Sequence, residues 1–318
     1  MYNLVSFAFS DFLSAGPRVN LSVILFLVLT LVCSFLEYAS LSRVSILFAN
    51  TAGTKILAGD VLFLILLLSL SSVSRIALLR IQSNIAVSTA KALVYRFYYK
   101  YFSAESLTRS EQQPSFLSSS ILFRVNTIIS GVYLPLLSGI TSSCVSVFIV
   151  IAVCLRSGLL FMPPVAFIVF SYVFASFSAK RSLLALGSKR LQAEQAYADI
   201  LKDIPSVRQF IFSDLTTKET ISLLAPFDLD IRSSTASIFF ISSFPRYVVE
   251  LVTLPAIIFT VYFLSSSSSS STDFLAKGSV IVFGVIRLIP SLQSVFLSLS
   301  SMRSSTPSFV EINSLINR

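Results

Sequence analysis

The sequence predicts an all-α integral membrane protein with six transmembrane helices and two long cytoplasmic helical hairpins. The chain has 318 residues, of which 54% are hydrophobic and 12% are charged, and its mean hydropathy is +0.84. A soluble domain carries about 25% charged residues, so this chain has too few charges to cover a folded surface in water. The composition therefore argues against a soluble enzyme, a disordered protein and a nucleic-acid-binding domain.

The net charge of +9 comes from 24 Lys and Arg residues against 15 Asp and Glu residues. In a chain this apolar, a basic excess is typical of loops on the cytoplasmic face of a membrane, and we expect no nucleic-acid partner. The absence of histidine removes the usual general base and the commonest transition-metal ligand. The odd number of cysteines, all in apolar runs, predicts neither a disulfide framework nor a zinc site: Cys33, Cys144 and Cys154.

The N-terminal segment, residues 1–18, is predicted to be an interfacial helix. Residues 1–16 contain no Lys or Arg, so the segment lacks the basic region of a cleavable signal peptide. Leu4, Phe7 and Phe12 share one helical face, which favours a short helix over residues 4–15 at the membrane surface. Asp11 falls on the same face, and a frayed terminus is the alternative interpretation.

Six apolar stretches are long enough to cross a membrane, which takes about 20 mostly apolar residues. Together they place a six-helix transmembrane domain over residues 19–303, followed by a cytoplasmic tail over residues 304–318. The six stretches run from Leu21 to about Phe48, from Ile56 to about Leu79, from Ile121 to Leu155, from Leu159 to Phe177, from Ala236 to Leu264, and from Phe274 to about Leu299.

The segments between the spans are alternately short and long, and the long ones are basic. The short segments and their flanks hold only Lys55, Arg156 and Lys277 as cations. The positive-inside rule therefore places both termini and both long segments in the cytoplasm. We expect the protein in the plasma membrane, or inner membrane, of the cell.

The two long segments are predicted to be helical hairpins, over about 80–120 and 178–235. No Gly or Pro occurs from Val61 through Gln113, so the second span is expected to continue as one helix to about Phe102. The stretch from Ala179 to Lys202 is rich in helix-forming residues. Ser110–Pro114 is expected to interrupt the first hairpin, and Pro205 the second.

Five ionisable residues are singled out as lying at depth within the predicted spans, where a charge costs about 2.5–3.5 kcal/mol and usually faces the bundle interior or a cavity. Arg246 and Glu250 are four residues apart and can pair on one helix. We hypothesise that Glu37 or Glu250 contacts Arg287 between helices, and Arg43 could extend outward to the membrane surface. The five residues are Glu37, Arg43, Arg246, Glu250 and Arg287.

Short motifs along nearly the whole chain give it a family resemblance. The motifs, in chain order, are Phe35-Leu36-Glu37, Gln113-Pro114, Leu134-Pro135-Leu136-Leu137, Arg190 with Glu194 and Tyr197, Ile204 with Val207-Arg208-Gln209-Phe210, Phe244-Pro245-Arg246-Tyr247-Val248-Val249-Glu250, and Arg287-Leu288-Ile289-Pro290-Ser291-Leu292-Gln293. By these motifs and their order, the chain resembles the transmembrane domain of type-1, six-helix ABC exporters, and it is most similar to the lipid-linked-oligosaccharide flippase and microcin-exporter branch.

The sequence departs from that family in two places. No G-x-x-x-x-G-K-[ST] motif occurs, so we expect the ATPase domain on another chain. The segment from Gln113 to Leu134 is short for the family, and Asp203 and Pro205 stand where the second coupling segment usually has a glycine-containing turn.

The resemblance implies a membrane-spanning transporter subunit and no enzyme activity in this chain. It would export or flip a lipid-linked saccharide, a polysaccharide precursor, a peptide or a similar substrate. It would pair with a second membrane domain as a homodimer or heterodimer, and a separate nucleotide-binding subunit would hold ATP and magnesium. No catalytic residue, cofactor or metal is expected here.

The same resemblance assigns two groups of residues. Arg246 and Arg287 would line the translocation cavity and attract an anionic head group, and the alternative is an ion pair that fixes helix packing. The tips of the hairpins would dock on the nucleotide-binding subunit, and the alternative is a pair of solvated loops. The docking candidates are Gln112, Gln113, Pro114, Phe116, Val207, Phe210 and Phe212.

Two other functions remain open from the sequence. The chain could be an inactive or regulatory remnant of an exporter that lacks its ATPase domain. It could also be a polyprenyl-lipid transferase, which would need a carboxylate cluster for magnesium, and the nearest pair is Asp228 and Asp230.

Overall fold

The chain is helical throughout the residues that the computed structural model describes, which are 12, 17–50, 58–103, 124–157, 162–210, 217–267 and 271–317. A π-helical turn, Ile129–Tyr133, connects the third helix to the fourth. The helices are α1 Pro17–Asn50, α2 Ala58–Ser103, α3 Val125–Ile128, α4 Leu134–Ser157, α5 Met162–Phe210, α6 Thr217–Ser267 and α7 Ser271–Asn317.

Local residue chemistry accounts for several helix ends. Pro17 is the first residue of α1, where its fixed φ and missing N–H suit the first helical turn. Asp60 lies in the first turn of α2 and Arg156 in the last turn of α4, where each charge opposes the helix dipole. The Arg156 guanidinium also donates to Ser42 Oγ at 2.5 Å, which connects the end of α4 to α1.

The π-helical turn lies immediately before a proline. Gly131, Val132 and Tyr133 are buried in this turn, and Pro135 follows in the first turn of α4. Because Pro135 has no N–H, the carbonyl four residues earlier loses its usual helical partner, and a local widening of the helix accommodates that loss.

The predicted continuation of two spans as long helices is confirmed, but one predicted break is wrong. Helix α2 continues to Ser103, close to the expected end at Phe102. Helix α5 continues through Pro205 to Phe210, so Pro205 does not interrupt it. The missing N–H of Pro205 removes one backbone hydrogen bond, that to the carbonyl four residues earlier, and the helix continues past it.

Within the described part of the chain, five helices are long and apolar enough to cross a membrane. They contain the first, second, third, fourth and sixth predicted spans. The fifth, from Ala236 to Leu264, lies in α6, and most of its side chains beyond Leu251 lie outside the described residues. The N-terminal helix predicted over residues 4–15 also lies outside the described residues, apart from Phe12, which is buried. The segment predicted as a tail is the end of α7, where Phe309 and Ile312 are buried.

Two clusters of buried apolar side chains form the core. One includes Phe26 from the N-terminal half of α1, Ile85 from α2 and Phe309 from α7. The other contains the C-terminal half of α1 with parts of α4, α5 and α7, among them Leu41 and Ile149. Outside these clusters, large apolar side chains are exposed on the bundle surface, as expected of a protein surrounded by lipid.

Helices α4 and α7 pack through small side chains. Ser294 Oγ lies 2.8 Å from Ser142 Oγ, and Ser291 Oγ lies 2.8 Å from Ser146 Oγ. A Cβ atom on Gly131 would overlap the side chain of a facing serine on α7. Small residues of this kind let membrane helices approach closely. The serines on this face of α7 recur at alternating spacings of three and four residues, the spacing of a helix–helix seam: Ser291, Ser294, Ser298, Ser301 and Ser305.

Helix α5 approaches α7 at a glycine. A Cβ atom on Gly187 would lie 2.1 Å from the backbone oxygen of Ser304. We therefore expect Gly187→Ala to force the two helices apart and to lower the free energy of unfolding by about 1–3 kcal/mol. Thermal unfolding of the purified protein in detergent measures this change.

Gly278→Ala is the matched control, because a Cβ atom there meets nothing within 4 Å. It should be neutral or stabilising by up to about 1 kcal/mol, since alanine favours a helix more than glycine does. Equal unfolding midpoints for the two variants would show that α5 and α7 do not pack this closely at Gly187.

Candidate functional site

A buried carboxylate joins three helices within the bundle. The Glu37 side chain on α1 is 2% exposed, and it forms ion pairs with Arg75 on α2 and Arg287 on α7. Arg75 Nη2 lies 2.8 Å from Glu37 Oε1, and Ser71 Oγ donates to the same oxygen. Arg287 Nη1 also lies 3.3 Å from Ser40 Oγ. We call these five residues the Glu37 cluster.

The Glu37 cluster lies between the two apolar cores. On α1, the first core ends at Cys33 and the second begins at Leu41, with Glu37 between them. On α4, the first core ends at Leu137 and the second begins at Val145. A charged group in such surroundings is stable only with close partners of opposite charge, and Glu37 has two.

A cavity of about 370 Å³ borders the Glu37 cluster. Both arginines of the cluster line it, and Cys33 and Leu78 contribute apolar wall. The side chain of Arg75 is half exposed and that of Arg287 is 27% exposed, so both guanidiniums are accessible while Glu37 is not.

Hydroxyl and amide groups form much of the remaining wall. Gln82 Nε2 donates to Thr141 Oγ1 at 3.0 Å, which connects α2 to α4. Ser142 donates to Ser294 within the α4–α7 seam. The polar side chains that line the cavity are Gln82, Ser138, Thr141, Ser142, Ser291 and Ser294.

The charges of the site leave one positive charge in excess. Arg75 and Arg287 carry two positive charges, and Glu37 carries one negative charge. An arginine can bind a phosphate or carboxylate through two parallel hydrogen bonds, and hydroxyl groups can bind either donors or acceptors. The cavity is therefore suited to a polar anionic group.

The structure separates the other predicted intramembrane charges from this cavity. Arg246 Nε lies 2.8 Å from Glu250 Oε1 on the same helix, and Arg246 is outside the cavity wall. Arg43 Cζ lies 4.9 Å from the ring centroid of Phe63, a cation–π contact between α1 and α2. Of the two acidic candidates, Glu37 contacts Arg287.

The candidate docking residues lie largely beyond what the structure describes. Val207 and Phe210 belong to the last turn of α5, and their side chains lie outside the described residues. The others lie outside the described residues altogether: Gln112, Gln113, Pro114, Phe116 and Phe212.

Sequence reasoning missed Arg75 as a member of the site. Arg75 lies inside the second predicted span, close to its expected end at Leu79, and it is not among the five intramembrane charges singled out from the sequence. A signal was present, because Ser71, Arg75 and Gln82 are spaced to share one face of an otherwise apolar helix.

No protein-family model and no curated protein sequence matches this chain. The interpretation of the Glu37 cluster therefore rests on its geometry and its chemistry. Both favour a binding cavity within the membrane-spanning bundle.

Neutralising Glu37 should destabilise the bundle. We expect Glu37→Gln to lower the free energy of unfolding by about 3 kcal/mol, the lower end for a broken buried pair, because Arg287 is partly exposed. The double variant Glu37→Gln with Arg287→Gln should recover part of that loss, because it leaves no unpaired charge. Thermal unfolding in detergent of the two single variants and the double variant measures the coupling.

The control is the Arg190–Glu194 pair of α5, whose side chains are 36% and 29% exposed. Glu194→Gln should cost less than about 1 kcal/mol, as for partly exposed pairs in general. Additive losses in the Glu37 and Arg287 variants would contradict the ion pair.

Proposed function

We propose that the chain is the membrane-spanning subunit of an ATP-driven ABC exporter, and helix length is the observation that carries the proposal. Helices α2, α5, α6 and α7 are 46, 49, 51 and 47 residues long. At 1.5 Å per residue, even the shortest is about 69 Å long, whereas the hydrocarbon core of a bilayer is about 30 Å thick. More than half of each helix therefore extends beyond the bilayer if the helix crosses it upright.

Polar contacts between the long helices indicate that their extensions lie together on one side of the membrane. Lys189 Nζ on α5 lies 2.8 Å from Asp230 Oδ1 on α6. Gln195 Nε2 on α5 and Arg124 Nη1 both lie 2.8 Å from Glu311 Oε1 on α7. Such contacts suit an aqueous surrounding, and the positive-inside rule assigns these extensions to the cytoplasm. They correspond to the cytoplasmic arms that the resemblance to ABC exporters implies.

The cavity beside the Glu37 cluster supports an anionic substrate. A pyrophosphate-linked lipid saccharide would place its phosphates against Arg75 and Arg287, with sugar hydroxyl groups near Ser142 and Thr141. Glu37 then acts as the internal counter-ion of the empty cavity. The chain performs no bond-making step, and ATP hydrolysis takes place on a separate subunit that drives alternation between inward-open and outward-open states.

Arg287 should be required for transport because it pairs with the substrate anion. In proteoliposomes that contain the chain with its ATPase and a pyrophosphate-linked polyprenyl lipid, Arg287→Ala should lower the flipping rate at least about tenfold, equivalent to about 1.4 kcal/mol. Arg287→Lys should retain part of the rate, because it keeps the charge but loses the two-pronged hydrogen bonding.

Glu37→Gln separates this role from helix packing. It breaks the same ion pair but leaves the cation in the cavity, so it should keep more activity than Arg287→Ala. An equal loss of flipping rate in Glu37→Gln and Arg287→Ala would show that transport depends on the ion pair and not on the cation alone. Full activity in both Arg287 variants would exclude a role of Arg287 in substrate binding.

The end of α5 should bind the ATPase. Purification in mild detergent followed by mass spectrometry should recover an ATPase with a Walker motif together with the wild-type chain. Phe210→Asp should abolish that recovery, because a charge would enter an apolar contact.

Tyr99→Asp serves as the control for docking. Tyr99 is 78% exposed near the end of α2 and is not among the docking candidates. Retained ATPase in the Tyr99 variant and its loss in the Phe210 variant would support docking at α5. Unchanged recovery with Phe210→Asp would contradict it.

A further inference from the structure

A second cavity, of about 290 Å³, lies between α5 and α7 and is separate from the Glu37 cluster. Its wall is mainly apolar and includes Val169, Leu292 and Leu299. Val173 and Phe177 also line it and are 46% and 71% exposed. The cavity therefore opens onto the outer surface of the helix bundle, where lipid is the expected neighbour.

Two buried donors line this apolar cavity. Arg303 is 8% exposed and donates through Nη1 to the backbone carbonyl of Ser176, and Tyr172 is 4% exposed. Among the residues that the structure describes, neither Arg303 Nε nor the Tyr172 hydroxyl has a hydrogen-bond partner. Buried donors without acceptors are unfavourable, so a ligand that supplies acceptor oxygens at these positions would be stabilised.

The two donors lie at the depths in the bilayer where a phospholipid has its head group and its ester groups. Arg303 lies just beyond Leu299, the predicted cytoplasmic end of the last span. Tyr172 precedes Ser176 by one helical turn towards the membrane interior, and Leu292 lies deeper still. The helical rise from Leu292 to Arg303 is about 16.5 Å at 1.5 Å per residue, close to half of the roughly 30 Å hydrocarbon core.

We propose that this cavity binds an anionic phospholipid of the cytoplasmic leaflet. The lipid phosphate accepts from Arg303, an ester oxygen accepts from Tyr172, and part of one acyl chain lies along Val169 and Leu292. The rest of the lipid extends past the exposed rim at Phe177. A free anion would account for Arg303 but leaves the apolar wall without a ligand. Basic pockets on the cytoplasmic side of membrane helices bind lipid head groups in this way.

The absence of tryptophan from the chain allows a direct test. A single tryptophan is introduced as Phe177→Trp at the cavity rim, or as Phe174→Trp, which is three residues away, 63% exposed and outside the cavity wall. Each variant is reconstituted in vesicles that contain phosphatidylglycerol or phosphatidylcholine with brominated acyl chains, and quenching of the tryptophan fluorescence is measured.

We expect the tryptophan at position 177 to be quenched several-fold more effectively by phosphatidylglycerol than by phosphatidylcholine, and the one at position 174 equally by both. Adding Arg303→Ala should reduce the preference to parity. Adding Val295→Phe, which fills the cavity without changing charge, should do the same. Circular dichroism and gel filtration confirm that each variant is folded.

Three outcomes would overturn the proposal. They are equal preference at the two tryptophan positions, a preference that survives both Arg303→Ala and Val295→Phe, and a preference removed by inorganic phosphate at constant ionic strength. The last result would indicate a site for the free anion. The measurement uses the full chain without an ATPase, so its outcome is independent of transport.

Discussion

The burial of the Glu37 carboxylate is the constraint on which the arrangement of α1, α2 and α7 depends. A carboxylate that is 2% exposed within a low-dielectric bundle needs cations close to it, and Arg75 and Arg287 are the cations that contact it among the described residues. Apolar packing on either side is non-directional and tolerates small shifts between helices. An ion cluster does not tolerate such shifts. A slide of α7 by one turn, about 5.4 Å, would separate Arg287 from Glu37. We infer that the cluster defines the relative register of the three helices.

The same constraint accounts for the position of the cavity. Polar side chains within a membrane-spanning bundle must face one another, so the groups around Glu37 gather on the inner faces of α2, α4 and α7. Small serines on α4 and α7 bring these helices close together on one side. The side chains of Arg75 and Arg287 line the cavity together with serines of this seam. Two guanidiniums against one carboxylate then give this cavity its positive charge.

The helices and two residues of the Glu37 cluster, Glu37 and Arg287, could be predicted from the sequence, since apolar runs and charges within them are local signals. Helix α2 ends one residue beyond the predicted position, and Glu37 with Arg287 was a hypothesised pair. Which arginine pairs with Glu37 depends on how each helix is rotated about its own axis in the bundle. A local sequence pattern does not determine that rotation. Arg75 and Arg303 lie near the ends of apolar runs, and neither is identified as a site residue from the sequence alone. The break predicted at Pro205 is wrong, since a proline removes one backbone hydrogen bond and a long helix can continue past it.

Helix α7 combines a contact that tolerates sliding with one that does not. Its serines repeat along the seam with α4, so a displacement by one heptad would again place small residues opposite small residues. Gly187 on α5, which packs against the backbone at Ser304, is likewise a contact without bulky side chains to interlock. The ion pair between Arg287 and Glu37 is a specific contact that opposes such a displacement, as are the contacts of Glu311 with Gln195 and Arg124. A substrate anion that takes the place of Glu37 at Arg287 would weaken that opposition. Under the proposed function, occupancy of the cavity and freedom of α7 to move are therefore thermodynamically linked, because a ligand shifts an equilibrium by its difference in affinity for the two states.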